Sequence, residues 1–193
     1  MPNKEYLKLY NYYWPKASEL IIQLLIRNID KEQTILEVGF GSGHLLFQLL
    51  SEGYNAEGCE IREDEYEKTK KLFKQAGYER SLFCNDIMNI HKRYDVIYTT
   101  GLIQCTCGKD RKRLIQKFCL LARKVIIVIP EIVKNRNSLS KDLIGVMGCT
   151  EYVTTSIAYE LNEFFDDIKV GYWTKKELGI EDNFQYFICE NLD

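Results

Sequence analysis

The chain has 193 residues, of which 46% are hydrophobic and 28% charged, and its formal net charge is −2 at pH 7. This composition is typical of a globular protein, and the small net charge gives no general attraction to nucleic acid or to an acidic membrane. The length favours one domain, and the longest early apolar run, LIIQLLI, is too short to span a bilayer. The opening MPNKEY lacks a signal-peptide apolar region, so we expect a cytoplasmic protein that does not engage a membrane.

Seven cysteines are scattered along the chain, and several of them lie inside apolar runs. Cys105 and Cys107 form the only close pair. A metal site would need two further ligands, and the sequence offers neither a second pair nor histidines at zinc-finger spacing. We therefore favour buried structural cysteines over a metal centre.

The first half of the chain alternates predicted helices and strands. Apolar residues three to four positions apart predict helices, and short apolar runs bounded by turn residues predict strands. In chain order they are a helix over 17–29, a strand over 34–39, a helix over 43–53, a strand over 54–61, a helix over 64–77 and a strand over 81–86. Gly53 and Gly77 terminate two of these helices, and Asp64 with Glu67 forms a capping signature at the start of the last one.

The alternation continues with a strand over 94–101, a helix over 110–123 and a strand over 124–130. The run KVIIVIP in this last strand is unbroken, as in strands buried on both faces. A polar loop and a mixed helical region follow through about residue 165, and strand-like runs over 167–173 and 183–191 close the chain. Strands that alternate with helices predict a mostly parallel sheet, whose ligands bind beyond the carboxyl ends of the strands.

A glycine turn follows the first strand, in the stretch ILEVGFGSGHLL over residues 35–46. Its glycines are Gly39, Gly41 and Gly43, so their spacing is G-x-G-x-G. His44 stands where the dinucleotide fingerprint G-x-G-x-x-G keeps its third glycine, and the Gly-Lys-Ser/Thr of a phosphate-binding loop is missing. The spacing therefore argues against a nicotinamide dinucleotide and against a nucleoside triphosphate.

An acid precedes the turn, since Glu37 stands two residues before the first glycine at the end of the strand. A buried carboxylate repels a pyrophosphate and attracts an ammonium group, because little solvent screens the charges. The turn is therefore suited to a ligand with a cationic group.

The stretch LEVGFGSG, followed by a helix, resembles motif I of the class I S-adenosylmethionine-dependent methyltransferases, and Glu60 stands where that family keeps its next acid. The resemblance covers residues 35–130 by motif. It implies an enzyme with an α/β fold, a three-layer sandwich whose central, mostly parallel, seven-stranded sheet ends in an antiparallel strand. It also implies S-adenosylmethionine as cofactor and S-adenosylhomocysteine as product.

The resemblance also implies roles for individual residues. The turn, made of Gly39, Phe40, Gly41 and Gly43, admits the methionyl part of the cofactor, and Glu37 helps to hold its amino end. Glu60, 17 positions after the last glycine of the turn, accepts both ribose hydroxyls, and Ile61 packs on the adenine.

Two later loops complete the implied site. Asp86, in the loop CNDIMN, accepts from the adenine amino group, and Ile87 covers the ring. The run DVIYTTGL resembles the motif at the fourth strand, which Asp95 opens and at whose exit Thr100 lies.

Several of these residues have structural alternatives. Glu60 belongs to the acidic run EIREDE, which could be a solvated surface, and an N-cap role of Asp86 is compatible with an adenine contact. We favour a turn-stabilising role for Asp95 and a non-catalytic role for His44.

The N-terminal segment YLKLYNYYW carries five aromatic residues in nine positions. It is either an arm that packs on the domain or a lid over the cofactor, where aromatic faces attract a sulfonium. For the lid, Tyr13 and Tyr12 are the expected contacts. No catalytic base is assigned, and Tyr13 and Thr100 are candidates by position only.

The predicted domain spans residues 1–193, with a helical arm over 1–34, a cofactor-binding core over 35–130 and a substrate-side segment over 131–193. Because no appended domain is predicted, a small-molecule acceptor is favoured. The basic runs KTKK over 68–71 and KDRKR over 109–113 are interpreted as solvated helix faces. The position after the fourth strand reads TTGL, which lacks the N/D-P-P-aromatic tetrapeptide of enzymes that methylate base amino groups.

Three alternatives remain open at this level: an RNA or protein methyltransferase, a non-catalytic methyltransferase-like partner subunit, and a nucleotide-dependent oxidoreductase of the same fold. His44 and Glu37 argue against the oxidoreductase. The oligomeric state is not predicted.

Overall fold

The structure of the protein is a computed structural model. It describes residues 15–106, 108–131, 154–178 and 183–192. The helices are α1 (Pro15–Asn28), α2 (His44–Ser51), α3 (Glu63–Gln75), α4 (Gly108–Leu121), α5 (Thr154–Asn162) and α6 (Lys175–Leu178). The strands are β1 (Ile35–Val38), β2 (Ala56–Glu60), β3 (Leu82–Cys84), β4 (Tyr94–Thr100), β5 (Ala122–Glu131), β6 (Asp167–Trp173) and β7 (Asn183–Glu190). Tyr12, Tyr13 and Cys107 lie outside the described residues, and so do residues 132–153, which include most of the predicted polar loop and the first part of the predicted helical region.

The chain divides into two compact units, residues 1–98 and 99–193. In the first unit β1 pairs in parallel with β2 on one side and with β4 on the other, and β2 pairs in parallel with β3. Every residue of β1 is buried, because the strand is central and its residues are mostly branched and apolar. Leu45, Leu46 and Leu49 of α2 are buried as well and contribute to the core of this unit.

The predicted capping signature of α3 is wrong, although the end of this helix is correctly predicted. The helix begins at Glu63, and the residue before it, Arg62, makes no side-chain capping bond. The carboxylate of Asp64 instead accepts from the Arg62 guanidinium at 2.9 Å. Because this carboxylate is bound to Arg62, it does not cap the helix. Asp64 still stabilises the helix, since the helix dipole favours acids in the first turn. Gly77 follows the helix at φ 79°, as a terminating glycine should.

The second unit holds α4 and the antiparallel pairs of β5 with β7 and of β7 with β6. The sequence predicts α4 through residue 123, but the helix ends at Leu121, and Ala122 and Arg123 belong to β5. The long pairing with β7 explains the difference. Beyond the end of β7, the Asn191 amide still donates to the Arg123 carbonyl at 3.0 Å, so the ladder extends to the beginning of β5.

The interpretation of KDRKR as a solvated face is wrong for Arg111, which is only 8% exposed. Its guanidinium donates to both carboxylate oxygens of Glu160 on α5, at 2.6 Å each. Lys112 also pairs with an acid, Glu163, at 2.7 Å. This basic run is therefore largely neutralised by acids of the same unit.

The strand order is β3-β2-β1-β4-β5-β7-β6, with β4 running across the boundary between the units. The predicted fold class, a seven-stranded and mostly parallel sheet whose last strand in the chain is antiparallel, is confirmed. The prediction of one domain with the boundaries given above stays a prediction. In the described part of the chain, no helix combines the length and the apolar character needed to cross a bilayer.

Candidate cofactor site

The carboxyl ends of β1, β2 and β3 meet at one edge of the sheet within the first unit. Val38 lies opposite Cys59, and Glu60 lies opposite Cys84. The pairing continues past the strands, since the Gly39 amide donates to the Cys59 carbonyl at 2.8 Å and the Asn85 amide to the Glu60 carbonyl at 3.0 Å. This register brings together the glycine turn, Glu60 and the loop that carries Asp86, as the sequence predicts.

The turn after β1 depends on its glycines, whose φ angles are positive: 71° at Gly39, 49° at Gly41 and 72° at Gly43. Residues with a Cβ rarely adopt such angles. At Gly43 space is limiting as well, because a Cβ there would lie 2.7 Å from Cγ2 of Thr69. The Gly43 amide donates to the Phe40 carbonyl at 2.7 Å, which closes the turn. The chain thus changes direction sharply before α2.

Glu60 is the polar centre of this edge. It is only 6% exposed, so its interpretation as part of a solvated acidic run is wrong. The Gly41 amide donates to its Oε2 at 2.9 Å, and the Arg62 amide donates to its Oε1 at 3.0 Å. Backbone donors on both sides therefore fix the carboxylate, and a carboxylate has further lone pairs with which to accept hydroxyl groups.

The hydrogen bond between Gly41 and Glu60 has a consequence for ligand choice. In phosphate-binding turns the backbone amides point at the anion. Here the Gly41 amide is bound by a protein carboxylate, which also places negative charge beside the turn. The arrangement disfavours a pyrophosphate, in agreement with the glycine spacing.

Glu37, in β1 two residues before the turn, is 2% exposed. The hydroxyl of Tyr98 donates to its Oε2 at 2.8 Å, and its carboxyl also bonds the backbone of Leu46. Burial raises the pKa of Glu37 to about 8, although the bonds from Tyr98 and Leu46 favour the charged form. The carboxyl therefore holds a proton at neutral pH, and a nearby cation would lower this pKa and favour the charged form.

The remaining predicted contacts differ in exposure. Ile61 is 63% exposed directly beside Glu60, whereas Ile87 and Phe40 are buried. The Phe40 ring packs over Gly58 of β2, so it supports the turn from the sheet side. Asp86 caps a short 3-10 helix, Ile87–Asn89, by accepting from the Met88 amide at 2.9 Å. Its N-cap role is thus observed, while its adenine contact stays a prediction.

His44 is the first residue of α2 and links it to α1. Its Nε2 lies 2.8 Å from Ser18 Oγ. Burial lowers the pKa of His44 to about 4, so the imidazole is neutral at pH 7. These features indicate a structural role, in agreement with the non-catalytic role favoured from the sequence.

Asp95 accepts from the amide and the hydroxyl of Thr34, at 2.7 Å each, and so joins the beginnings of β4 and β1. The role is structural, as favoured from the sequence, but the predicted turn is wrong: the carboxylate bonds a residue 61 positions away. Thr100, at the end of β4, is half-buried and belongs to the second unit. Cys105 donates to the Gly101 carbonyl at 3.3 Å, and burial raises the pKa of its thiol.

The sequence patterns do not identify two residues that contribute to this edge, Tyr98 and Thr69. Tyr98 follows Asp95 in an apolar run and pairs in register with Glu37. Thr69 stands in the lysine run KTKK, yet it is 1% exposed and its hydroxyl donates to the Gly41 carbonyl at 2.8 Å. Its spacing from Phe73, one helical turn later and also buried, is the signal that places Thr69 on the inner face of α3.

Comparison with known proteins agrees with this geometry. Residues 35–124 match a family model described as a methyltransferase domain. A curated relative, the protein-L-isoaspartate O-methyltransferase of Cytophaga hutchinsonii, is 38% identical over 64 residues. That match spans 33% of this chain and 29% of the relative's length.

Solved structures resemble the fold over most of the chain. The magnesium protoporphyrin IX methyltransferase of Synechocystis PCC 6803 with bound S-adenosylhomocysteine has a TM-score of 0.69 at 15% identity, covering 91% of this chain and 83% of that one. The phosphoethanolamine N-methyltransferase 2 of Haemonchus contortus in complex with S-adenosyl-L-methionine has a TM-score of 0.72 at 15% identity, covering 92% and 53%. Residues 35–124 therefore match a methyltransferase domain in sequence, and the fold of the chain resembles that of solved methyltransferases, as its motifs predict.

Proposed function

We propose that this protein binds S-adenosylmethionine at the edge formed by the ends of β1, β2 and β3 and transfers its methyl group to a small-molecule acceptor. The observation that carries the proposal is the bond from the Gly41 amide to the buried carboxylate of Glu60. It occupies a backbone donor that a phosphate would otherwise use, and it fixes beside the turn a carboxylate that can accept the hydroxyl groups of the cofactor's ribose.

The adenosine half of the cofactor is matched by Glu60 and its neighbours. A carboxylate fixed by two backbone donors is well suited to accept the paired hydroxyls of a ribose. Ile61, exposed beside it, offers an apolar surface to the adenine ring, and Asp86 and Ile87 follow the adjacent strand. Displacing water from Ile61 would add the usual hydrophobic stabilisation.

The amino-acid half is matched by the turn and Glu37. The sharp path over Gly39, Gly41 and Gly43 lets the backbone approach a ligand closely. A positive group that arrives nearby would favour the charged form of Glu37, whose buried carboxyl has a pKa of about 8 in the protein alone. We propose that Glu37 acts electrostatically through the turn, since it is 2% exposed.

The cofactor, when bound, supplies a methyl group already activated by its positively charged sulfur. The chain's residues then hold and orient it and exclude water, which is where an enzyme of this kind gains most of its rate. We assign no catalytic base, and an amine acceptor would need only to arrive unprotonated. Tyr13 and Thr100 stay candidates by position.

A small acceptor is the finer part of the proposal. Two similar structures are named for small-molecule reactions, on magnesium protoporphyrin IX and on phosphoethanolamine. Three of the four basic residues in the run over 109–113 pair with acids in the second unit. Both observations support a small molecule over a polyanion.

The proposal is tested by calorimetric titration of Glu60→Gln and Glu37→Gln with two ligands. S-adenosylhomocysteine carries the amino-acid half, whereas methylthioadenosine lacks its amino and carboxyl groups. Glu60→Gln should weaken both ligands, while Glu37→Gln should weaken only S-adenosylhomocysteine. Glu57→Gln is the matched control, because Glu57 lies on the same strand and binds Lys92 and Tyr94 instead of the turn.

Unchanged binding in Glu60→Gln, with melting temperatures near that of the wild type, would contradict the site assignment. The acceptor is then sought by incubating the protein with S-adenosylmethionine and pools of amines, phenols and carboxylic acids. Release of S-adenosylhomocysteine in one pool supports the small-molecule proposal. Release only with RNA or protein would contradict it.

A further inference from the structure

We propose that Thr69, a residue of α3 outside every cofactor motif, is a positioning residue that holds the glycine turn in its ligand-binding shape. This inference rests on the proposed function, because it concerns the turn assigned to the cofactor. It assigns a role to a side chain that the motif pattern does not include.

The hydroxyl of Thr69 makes the first contact. It donates to the Gly41 carbonyl at 2.8 Å, while the Gly41 amide donates to Glu60 at 2.9 Å. Both polar groups of this peptide position are thus bound by side chains, one from α3 and one from β2. Glycine has the widest backbone freedom of any residue, so these two bonds determine where the middle of the turn lies.

The methyl group of Thr69 makes the second contact. Its Cγ2 lies 2.7 Å from the place that a Cβ would take at Gly43, and the Phe73 ring lies 3.0 Å from the same place. The side chain therefore packs on the last glycine of the turn while it binds the middle one. A serine at position 69 would keep only the hydrogen bond to the Gly41 carbonyl, and a valine would keep only the packing on Gly43.

Loss of the Thr69 hydroxyl should lower the affinity for the ligand as well as the stability of the protein. Thr69 is 1% exposed, so a loss of its hydroxyl leaves the Gly41 carbonyl without this partner at the wall of the site. A turn that opens more often in the protein alone must be closed again on binding, which lowers affinity. We expect Thr69→Val to raise the Kd for S-adenosylhomocysteine by roughly three- to tenfold, the effect of one hydrogen bond.

The test compares Thr69→Val with Thr69→Ser by calorimetry with S-adenosylhomocysteine, and by hydrogen exchange of backbone amides in the protein alone. Thr69→Val should raise the Kd and speed exchange at Gly41 and Gly43, whose amides bond Glu60 and Phe40. Thr69→Ser should restore both values to nearly those of the wild type, even if its melting temperature falls. The Ile35 amide, at the other end of β1, should exchange alike in the wild type and in both Thr69 variants.

Thr34→Val is the matched control. It removes a hydroxyl that bonds Asp95 at the opposite end of β1, and it should leave the Kd unchanged. A merely structural Thr69 would lower the melting temperature of both variants without moving the Kd, and that result would overturn the inference. So would a Thr69→Ser variant as impaired as Thr69→Val.

Binding of S-adenosylhomocysteine by the wild type separates this inference from the proposed function. If the wild type fails to bind S-adenosylhomocysteine, the proposed function fails and the assigned role of Thr69 in binding fails with it. If the wild type binds and neither the Kd nor the exchange responds to Thr69→Val, only the role of Thr69 is refuted.

Discussion

Replacing Glu37 by glutamine should stabilise the protein at alkaline pH. The carboxyl is 2% exposed, and the bond from the Tyr98 hydroxyl at 2.8 Å does not offset the loss of hydration. Burial raises its pKa from 4.5 to about 8. Glutamine has nearly the same shape and stays neutral, so it resembles the protonated form that the fold prefers.

The size of the effect follows from the pKa values. The difference between 8 and 4.5, at 1.36 kcal/mol for each pKa unit, is at most about 5 kcal/mol of lost stability once the pH exceeds 8. Because the folded state binds more protons than the unfolded state between these values, the contribution is fully present below pH 4.5 and is lost as the pH rises through 8. Over the range from pH 5 to pH 8.5 the expected loss is about 4 kcal/mol.

Urea unfolding of the wild type and of Glu37→Gln at pH 5, 7 and 8.5 measures this difference. The advantage of the variant should grow steadily with pH, and other titrating groups cancel in the comparison. Tyr98→Phe removes a donor that favours the charged form, so its loss of stability should extend to higher pH than in the wild type. Parallel stability profiles of the wild type and Glu37→Gln across this range would refute the reasoning.

Two further predictions concern packing and ion pairing. Gly43→Ala should destabilise the protein more than Gly41→Ala. Both have positive φ, but the new Cβ would meet Thr69 at Gly43, whereas at Gly41 no atom of the described residues lies within 4 Å. Thermal melts should show a cost of about 1–2 kcal/mol for Gly41→Ala and a larger one for Gly43→Ala, and equal losses would contradict the geometry. Arg111→Met should cost about 3–5 kcal/mol in urea unfolding, because it leaves Glu160 buried without its partner, and Arg111→Met with Glu160→Leu should recover much of this loss. A double variant no more stable than the single one would contradict a mainly electrostatic cause.

The sequence predicts the fold well because its elements are locally encoded. Three signals depend only on residues close together in the sequence: the alternation of helical and strand-like patterns, the terminating glycines and the unbroken apolar run of β5. The errors occur where distant residues decide the outcome. Because β5 pairs with β7, Ala122 and Arg123 belong to the strand and not to the predicted helix. Arg111 is buried because its guanidinium binds the Glu160 carboxylate on α5.

The candidate site shows the same division. The register of β1, β2 and β3 brings the glycine turn, Glu60 and Asp86 to one edge, as a parallel sheet requires. The hydrogen bonds of Thr69 and Tyr98 join positions 28 and 61 residues apart, so no local pattern reveals them. The pKa of Glu37 likewise depends on how deeply the folded chain buries it, which a sequence does not state.

Titration of the wild-type protein with S-adenosylhomocysteine, NAD and ATP in parallel, at pH 8, tests the central claim most directly. The claim is that a turn whose Gly41 amide is bound by Glu60 selects S-adenosylmethionine and its product over phosphate-bearing nucleotides. We expect micromolar binding of S-adenosylhomocysteine and none of NAD or ATP. Binding of NAD or ATP in its place would contradict the account.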